Sequence, residues 1–150
     1  MKDYTSDSEQ PWSAFRSDIR TVIISHGVTT IGAYAFKFSG VSKVEISDTV
    51  TSIGAVAFSQ CQSLLELIVP INVTSIGQYA FDNGPLEFIT ILGDVKLERM
   101  VFNLALSLNT VNLLGKQVNF EDVDIFGACP LTSVGFGSKN VATAFNNYLT

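Results

Sequence analysis

Two cysteines are the residues whose possible chemistry the sequence constrains most. Cys61 and Cys129 each stand three residues after a phenylalanine, Phe58 and Phe126. In a stack of equivalent repeats they occupy the same place three repeats apart, so their Cα atoms are expected about 14 Å apart at 4.8 Å per repeat. A disulfide needs a separation of less than about 7 Å. Neither cysteine has the CxxC spacing of a zinc or redox site. The sequence therefore predicts two free, buried thiols.

The other reactive residue types form no recognisable catalytic set. His26 is the only histidine and stands in "SHGV", where a turn is the preferred interpretation over a general base or a metal ligand. The acidic run Glu121, Asp122 and Asp124 suggests a calcium site but lacks the spaced oxygen ligands and the glycine of a calcium loop. A solvated insertion loop is the favoured interpretation.

Three short motifs are equally weak. No "GxSxG" occurs, and "GFGSKN" from Gly135 is expected within and just after a strand rather than at a phosphate-binding helix start. "NVT" at Asn72 matches a glycosylation sequon, although the repeat described below already accounts for its threonine. We therefore predict no catalytic residue, metal, cofactor or small-molecule substrate, and a protein that is not an enzyme.

Composition excludes two further classes of partner. The 150 residues carry a net charge of -5, and the nine Lys and Arg are scattered. A nucleic-acid binder needs a basic stripe that displaces phosphate counterions, so no nucleic-acid partner is predicted. No apolar run reaches the roughly 18 residues needed to cross a bilayer, so no membrane insertion is predicted, and the polar N-terminus lacks the apolar core of a secretory signal.

The elements that would position any site are set by an internal repeat. "VTTIGAYAF", "VTSIGAVAF" and "VTSIGQYAF" begin at Val28, Val50 and Val73. A short apolar-alternating segment precedes each of them, and the segments continue to the end of the chain. They are "IRTVIIS" from Ile19, "VSKVEIS" from Val41, "LLELIVP" from Leu64, "LEFITIL" from Leu86, "LNTVNLL" from Leu108 and "LTSVGFG" from Leu131. A period of this length indicates a solenoid.

The alternation within each segment predicts a half-buried strand. We expect these strands to pair in parallel in one sheet. A ladder of phenylalanines follows the strands at Phe36, Phe58, Phe81, Phe102 and Phe126, and is expected to stack one ring per coil. Gly32, Gly54 and Gly77 are expected to supply a backbone conformation that a side chain would forbid.

The pattern "LxxLxVPxxVTSIGxxAFxxC", present in "LLELIVPINVTSIGQYAF" and "VTSIGAVAFSQCQSL", resembles the BspA-like class of leucine-rich repeats. The resemblance implies a leucine-rich repeat solenoid, an α/β-type repeat fold made mostly of short parallel β-strands with turns and irregular coil. It further implies a single right-handed solenoid with about six repeats of 22–23 residues. From the fourth repeat the signature weakens, since Leu97 and Glu98 stand where Ile and Gly are expected.

The predicted organisation has three parts. Residues 1–18 form an N-terminal capping segment, residues 19–150 form the repeat array, and an irregular cap at 138–150, a last coil or a short helix, ends it. Strands are predicted near 19–25, 41–47, 64–70, 86–92, 108–114 and 131–137. Members of the class are mostly secreted or cell-surface proteins, so the resemblance implies a secreted or cell-surface location. It also implies a protein-binding module that adheres to host or matrix proteins. The alternative is a structural spacer with no ligand of its own.

A protein partner is expected on the outward face of the strands, where solenoids bind. The alternation makes that face mixed polar in the first half and apolar in the middle. Exposed apolar patches mark contacts, and an aromatic residue such as Phe88 is a natural anchor. The predicted ligand-binding residues are Ile68, Phe88, Thr90, Leu92, Asn112 and Leu114. The competing interpretation is a surface that a neighbouring domain or a second copy covers, or scattered apolarity.

Overall fold

Six short parallel strands follow the repeat, one in each predicted segment. The computed structural model describes residues 1–122 and 124–149; Val123 of the acidic insertion and Thr150 at the end of the predicted cap lie outside these ranges. The six strands are β1 (Thr21–Ile24), β3 (Lys43–Ile46), β5 (Glu66–Val69), β7 (Phe88–Ile91), β9 (Thr110–Leu113) and β11 (Ser133–Phe136). Because side chains alternate along a strand, the second and fourth residues of β1, β5, β7 and β9 are buried.

The prediction of one continuous sheet of these strands is wrong. β1 pairs with β3, and β5, β7, β9 and β11 pair in sequence order, but β3 and β5 form no ladder. Val44 and Ile46 of β3 are accordingly only half-buried. The strand face is therefore divided into a two-stranded and a four-stranded sheet.

A second parallel sheet, which the sequence pattern did not predict, forms from the "VTxI" segments. Its strands are β2 (Thr30–Ile31), β4 (Ser52–Ile53), β6 (Ser75–Ile76), β8 (Val95–Leu97) and β10 (Val118–Phe120). They pair in sequence order without a break. Ile31, Ile53 and Ile76 point inward and are almost completely buried. This sheet therefore holds the coils together across the position where β3 and β5 separate.

Aromatic rings form one continuous stack through the coils, as the spacing predicts. The stack, called here the aromatic column, consists of Trp12, Phe36, Phe58, Phe81, Phe102 and Phe126, with successive ring centroids 5.5, 5.3, 5.7, 5.6 and 5.2 Å apart. Each ring buries its faces against the rings of its neighbours, so no single coil is expected to bury its phenylalanine alone.

The backbone beside the column forms a further ladder between coils. Phe36 N donates to Ala57 O at 2.7 Å, and Phe58 N donates to Ala80 O at 2.8 Å. The residues two before and two after the phenylalanine adopt left-handed conformations, such as Val56 with φ of 60°. This geometry turns the N–H groups of alternate residues, such as Tyr34, Phe36 and Phe38, toward the next coil.

The predicted role of the glycines in the "IG" motif is wrong. Gly27 is the only described glycine with a left-handed φ, so Gly32, Gly54 and Gly77 do not supply that conformation. Gly54 and Gly77 are needed because the coils approach closely: a Cβ on Gly54 would lie 2.5 Å from Ala33 N, and one on Gly77 would lie 2.5 Å from Ala55 N. Backbone contact, rather than backbone conformation, selects glycine here.

The first residues close the N-terminal end of the stack. Two short 3-10 helices, Asp7–Glu9 and Ser13–Asp18, bring the cap over the first coil. Trp12 adds its ring to the aromatic column, and its Nε1 donates to Ala35 O at 3.0 Å. Tyr4 N donates to Ala33 O at 3.0 Å. Carbonyl groups that have no preceding coil thereby obtain donors.

A helix closes the other end. α1 (Lys139–Tyr148) is a regular α-helix, so the tail is the short helix rather than the irregular coil. Val141 and Phe145 are buried against the last coil, and Phe126 N donates to the hydroxyl of Tyr148 at 3.1 Å. Over the described residues, no helix combines the length and apolar character needed to span a membrane.

Candidate functional site

The outward face of the four-stranded sheet carries the residues predicted to bind a ligand. Ile68, Phe88, Leu92 and Leu114 are exposed, Ile68 to 64% and Phe88 to 45%. Thr90 and Asn112 lie between them and are half-buried. The structure thus places all six predicted residues on one surface, which we call the apolar face; their binding role stays a prediction.

Strand register arranges these side chains in rows across the sheet. Ile68, Thr90 and Asn112 are aligned partners on β5, β7 and β9. Asn112 Nδ2 donates to Thr90 Oγ1 at 3.2 Å, which fixes the polar centre of the row. Phe88 is aligned with Glu66 on one side and Thr110 on the other. The apolar side chains therefore surround a small polar centre.

A groove extends the apolar face beyond the ends of the strands, and sequence reasoning missed it. Leu92 and Leu114 line a cavity of about 360 Å³ together with Ile71, Asp94 and Lys116. Ile71 is 63% exposed. It follows Pro70 outside the strand, so the alternation that identified the other residues does not apply to it. A large aliphatic residue directly after "IVP" was the only available signal.

The face of the two-stranded sheet differs in chemistry. Lys43 Nζ lies 2.6 Å from Glu45 Oε1 on the same strand, and the hydrogen bond that Lys43 donates to Glu45 raises the pKa of Lys43. Ile23 is exposed beside Glu45 in the register. The two-stranded part of the strand face thus combines an ion pair with one exposed isoleucine.

Pro70 gives a physical reason for the division. In the neighbouring coils, the residue after a strand donates its N–H to the last residue of the preceding strand: Leu92 N to Val69 O at 3.1 Å, and Leu114 N to Ile91 O at 2.8 Å. Pro70 occupies the equivalent position, and proline has no N–H to donate. The hydrogen bond that would join the ends of β5 and β3 cannot form.

The first residue of β5 also lacks its hydrogen bond to the preceding coil. The first residue of a strand elsewhere donates to the carbonyl before the preceding strand, as Phe88 N donates to Leu65 O at 3.1 Å and Thr110 N to Glu87 O at 3.2 Å. Within ranges 1–122 and 124–149, Glu66 makes no such bond to Ser42. A cleft therefore separates β3 from β5 at the edge of the apolar face.

The cysteines are free, as predicted, but only one is fully buried. Cys61 is buried and Cys129 is half-buried, because the last coil has no following coil to cover it. Burial raises the pKa of each thiol to about 11. Cys61 Sγ lies 3.3 Å from Ser39 Oγ and 3.2 Å from Phe36 O. A thiol whose proton is held this firmly is a poor nucleophile, and its environment is that of a core residue.

The remaining candidates for chemistry lie apart from one another. His26 is exposed in a turn. Glu121 and Asp122 bind the preceding coil, Glu121 Oε1 at 3.0 Å from Lys96 Nζ and Asp122 Oδ2 at 3.1 Å from Arg99 Nε. No group of three His, Cys, Asp or Glu side chains suited to a metal ion occurs among the residues that the structure describes.

The segment "GFGSKN" lies within and just after β11, as predicted, but it also leads directly into α1. Ser138 is the N-cap of α1, and its Oγ accepts from Val141 N at 3.3 Å and donates to Lys116 O at 3.0 Å. The serine thus satisfies the first turn of the helix itself. At the sequon, Asn72 Nδ2 donates to Asp48 O at 2.8 Å, so this side chain joins two coils.

Comparison with protein families decides the identity of the repeat. The family model described as "BspA type Leucine rich repeat region (6 copies)" matches residues 29–149. The chain belongs to the BspA-type leucine-rich repeat family. Its leucine-rich repeat solenoid fold is thereby confirmed. Leucine-rich repeats generally mediate protein interactions and are generally non-enzymatic, so the family match suggests a protein-interaction module.

Among solved structures, the BspA-type chain is similar to a leucine-rich repeat protein from Eubacterium ventriosum. The two share 26% sequence identity with a TM-score of 0.57. The match covers 74% of this chain and 36% of that protein, so the chain spans little more than a third of that protein's length. A search of curated proteins finds none that matches.

Proposed function

We propose that this chain is a non-enzymatic protein-binding module of a secreted or cell-surface protein, and that its apolar face adheres to host or matrix proteins. The observation that carries the proposal is the set of exposed apolar side chains on adjacent strands, with Phe88 aligned beside Thr110 and Ile68 beside Thr90. Water contact with such side chains is unfavourable, so a partner that covers them gains free energy.

The sheet beneath is suited to binding because it is already ordered. β5, β7 and β9 are joined along their length, and their inward side chains are buried. A preorganised surface loses little conformational freedom when a partner binds. Phe88 supplies the aromatic anchor, and Leu92, Leu114 and Ile71 supply the adjoining aliphatic groove.

A structural spacer within a larger surface protein is the alternative. The aromatic column and the sheet β2–β4–β6–β8–β10 run without a break through the coils, which is the construction of a stiff rod. A spacer of this kind has no ligand of its own, so the two functions differ in a measurable property.

The test is capture on immobilised extracellular-matrix and host-surface proteins, followed by competition with unlabelled chain. We expect saturable, competable binding to at least one protein. Phe88→Ala is expected to weaken that binding by about 1 kcal/mol or more, because a central aromatic contact is lost, while the melting temperature changes little. Phe15→Ala is the matched control, since Phe15 is also exposed but lies at the N-terminal cap.

A second pair of variants examines the aliphatic groove. Leu114→Ala is expected to weaken capture, whereas Leu106→Ala, which removes an exposed leucine outside the strand face, leaves it unchanged. Absence of any saturable partner favours the spacer. Equal binding by Phe88→Ala together with a large loss of stability would assign Phe88 to the core instead.

A further inference from the structure

The cleft between β3 and β5 has a composition that the rest of the strand face lacks. It encloses about 400 Å³. Its walls include the apolar side chains of Val44, Leu67 and Ile68, and Phe88 lies at its rim beside Glu66. Elsewhere on this face, among the described residues, neighbouring strands are paired. The cleft is therefore an apolar slot with carboxylates at its mouth.

Several hydrogen-bond acceptors lie at or beside this slot. The interrupted ladder leaves the carbonyl oxygens of Ser42 and Ile46 without the donors that equivalent carbonyls receive from the next coil, in the part of the chain that the structure describes. Glu45 is paired with Lys43, whereas Glu66 forms no ion pair within the described residues. Of these groups, the Glu66 carboxylate and the Ser42 carbonyl belong to residues that line the slot.

We propose that this cleft binds an arginine side chain presented by a partner protein; the inference rests on the proposed protein-binding function and names what the bound surface must display. A guanidinium carries five N–H donors in a rigid plane and no acceptor, which complements the carboxylate of Glu66 and the carbonyl oxygen of Ser42 at the lining of the slot. Its methylene stem packs against apolar walls, and its face stacks on an aromatic ring such as Phe88.

Overall charge favours the same partner. The chain carries a net charge of -5, and the residues lining the slot include two carboxylates and one ammonium. A cation is attracted to such a site, whereas an acidic side chain is repelled. Arginine is preferred to lysine because an ammonium is a strongly hydrated point charge with three donors. Its transfer from water into an apolar slot therefore costs more desolvation free energy.

Peptide titration tests the proposal on the chain alone, without a natural partner. The probe is acetyl-Ser-Val-Arg-Val-Ser-amide, added to the isotope-labelled chain at neutral pH while backbone amide resonances are recorded. The comparison peptides replace arginine with lysine, glutamine or glutamate. We expect saturable shifts at Val44, Glu66, Ile68 and Phe88, with arginine at least about fivefold tighter than glutamine, lysine intermediate and glutamate without effect.

Two variants change the cleft in different ways, one in its charge and one in its backbone hydrogen bonds. Glu66→Gln removes the unpaired carboxylate and is expected to weaken the arginine peptide at least about threefold. Glu121→Gln is its control, because Glu121 pairs with Lys96 at the second sheet. Pro70→Leu restores an N–H at the position where Leu92 and Leu114 donate one, and is expected to protect that amide and to lose most of the arginine preference.

The outcomes separate this inference from the proposed function. Arginine and glutamine peptides that bind equally, shifts that map away from β3 and β5, or an unchanged preference in both cleft variants would overturn the arginine site. If Leu114→Ala loses saturable capture and the native chain shows no preference for the arginine peptide, the arginine site is rejected and the proposed function stands. An arginine-selective cleft on a chain that captures no protein would instead count against the proposed function.

Discussion

The aromatic column and the strand face are built from the same repeats, but they respond differently to local changes in sequence. In the column, Phe36, Phe58 and Phe81 stack at nearly constant separations of 5.3 and 5.7 Å. On the strand face, ladder pairing stops between β3 and β5 although both strands exist. Side-chain stacking requires only the same residue in each coil. Strand pairing also requires an N–H at every second position, and Pro70 removes one of these.

The difference teaches where variation is tolerated in a solenoid of this kind. Because the column and the second sheet hold adjacent coils together, the strand face can lose a ladder without separating the coils. The outward positions then acquire charged or apolar side chains freely. The following experiments test this division of roles, beginning with the largest expected effect.

Phe58→Ala should produce the largest loss of stability. Phe58 is buried between Phe36 and Phe81, so truncation leaves a cavity in the middle of the column, and we expect the free energy of unfolding to fall by about 3–5 kcal/mol. Phe88→Ala, on the strand face, should cost under about 1 kcal/mol. Urea titrations of both variants measure the contrast. Equal losses would show that the strand face contributes as much to stability as the aromatic column does.

The second effect is a dependence of stability on alkaline pH. Burial raises the pKa of Cys61 from its ordinary value of 9.0 to about 11. The folded chain therefore keeps a proton that the unfolded chain releases between these pH values, so stability is complete below pH 9 and falls as pH rises toward 11. The loss is about 2–3 kcal/mol.

Cys61→Ala isolates that contribution. Between pH 9 and pH 11, the free energy of unfolding of the native chain should fall by about 2 kcal/mol more than that of Cys61→Ala. Cys129→Ala, at a half-buried thiol, should change the slope less, because water screens that site. Parallel curves for the native chain and Cys61→Ala would contradict the assigned burial.

Gly77→Ala tests the close approach of coils in the second sheet. A Cβ at this position would lie 2.5 Å from Ala55 N, whereas one at Gly84 would lie 3.6 Å from Cys61 O, an ordinary contact. We expect Gly77→Ala to cost about 1–3 kcal/mol and Gly84→Ala to be nearly neutral, as measured by thermal unfolding. A stabilising Gly77→Ala would mean that the coils are further apart than the structure places them.

The sequence was sufficient for features that each coil repeats. The strand segments, the inward alternation of β5 and β7, and the aromatic column all follow from spacing, because stacked equivalent coils put equivalent residues in contact. The outward position of Phe88 and Ile68 followed from the same alternation. Similarity between repeats therefore predicts the fold well.

Features that depend on one coil facing a different coil were missed. The effect of Pro70 was not predicted, because its missing N–H matters to the pairing with β3 rather than to β5 itself. The glycines were assigned a conformational role because the distance from Gly54 to Ala33 N becomes known only when two coils are stacked. The cleft, and Ile71 beside it, could not be predicted from the pattern of a single strand.

Amide hydrogen exchange tests the central claim most directly, namely that the ladder is open between β3 and β5 while the column continues. The backbone N–H of Glu66 should exchange at least about tenfold faster than those of Phe88 and Thr110, which begin β7 and β9 and donate to the preceding coil. Phe58 N, bonded to Ala80 O, should remain protected. Protection of Glu66 equal to that of Phe88 and Thr110 would contradict the account.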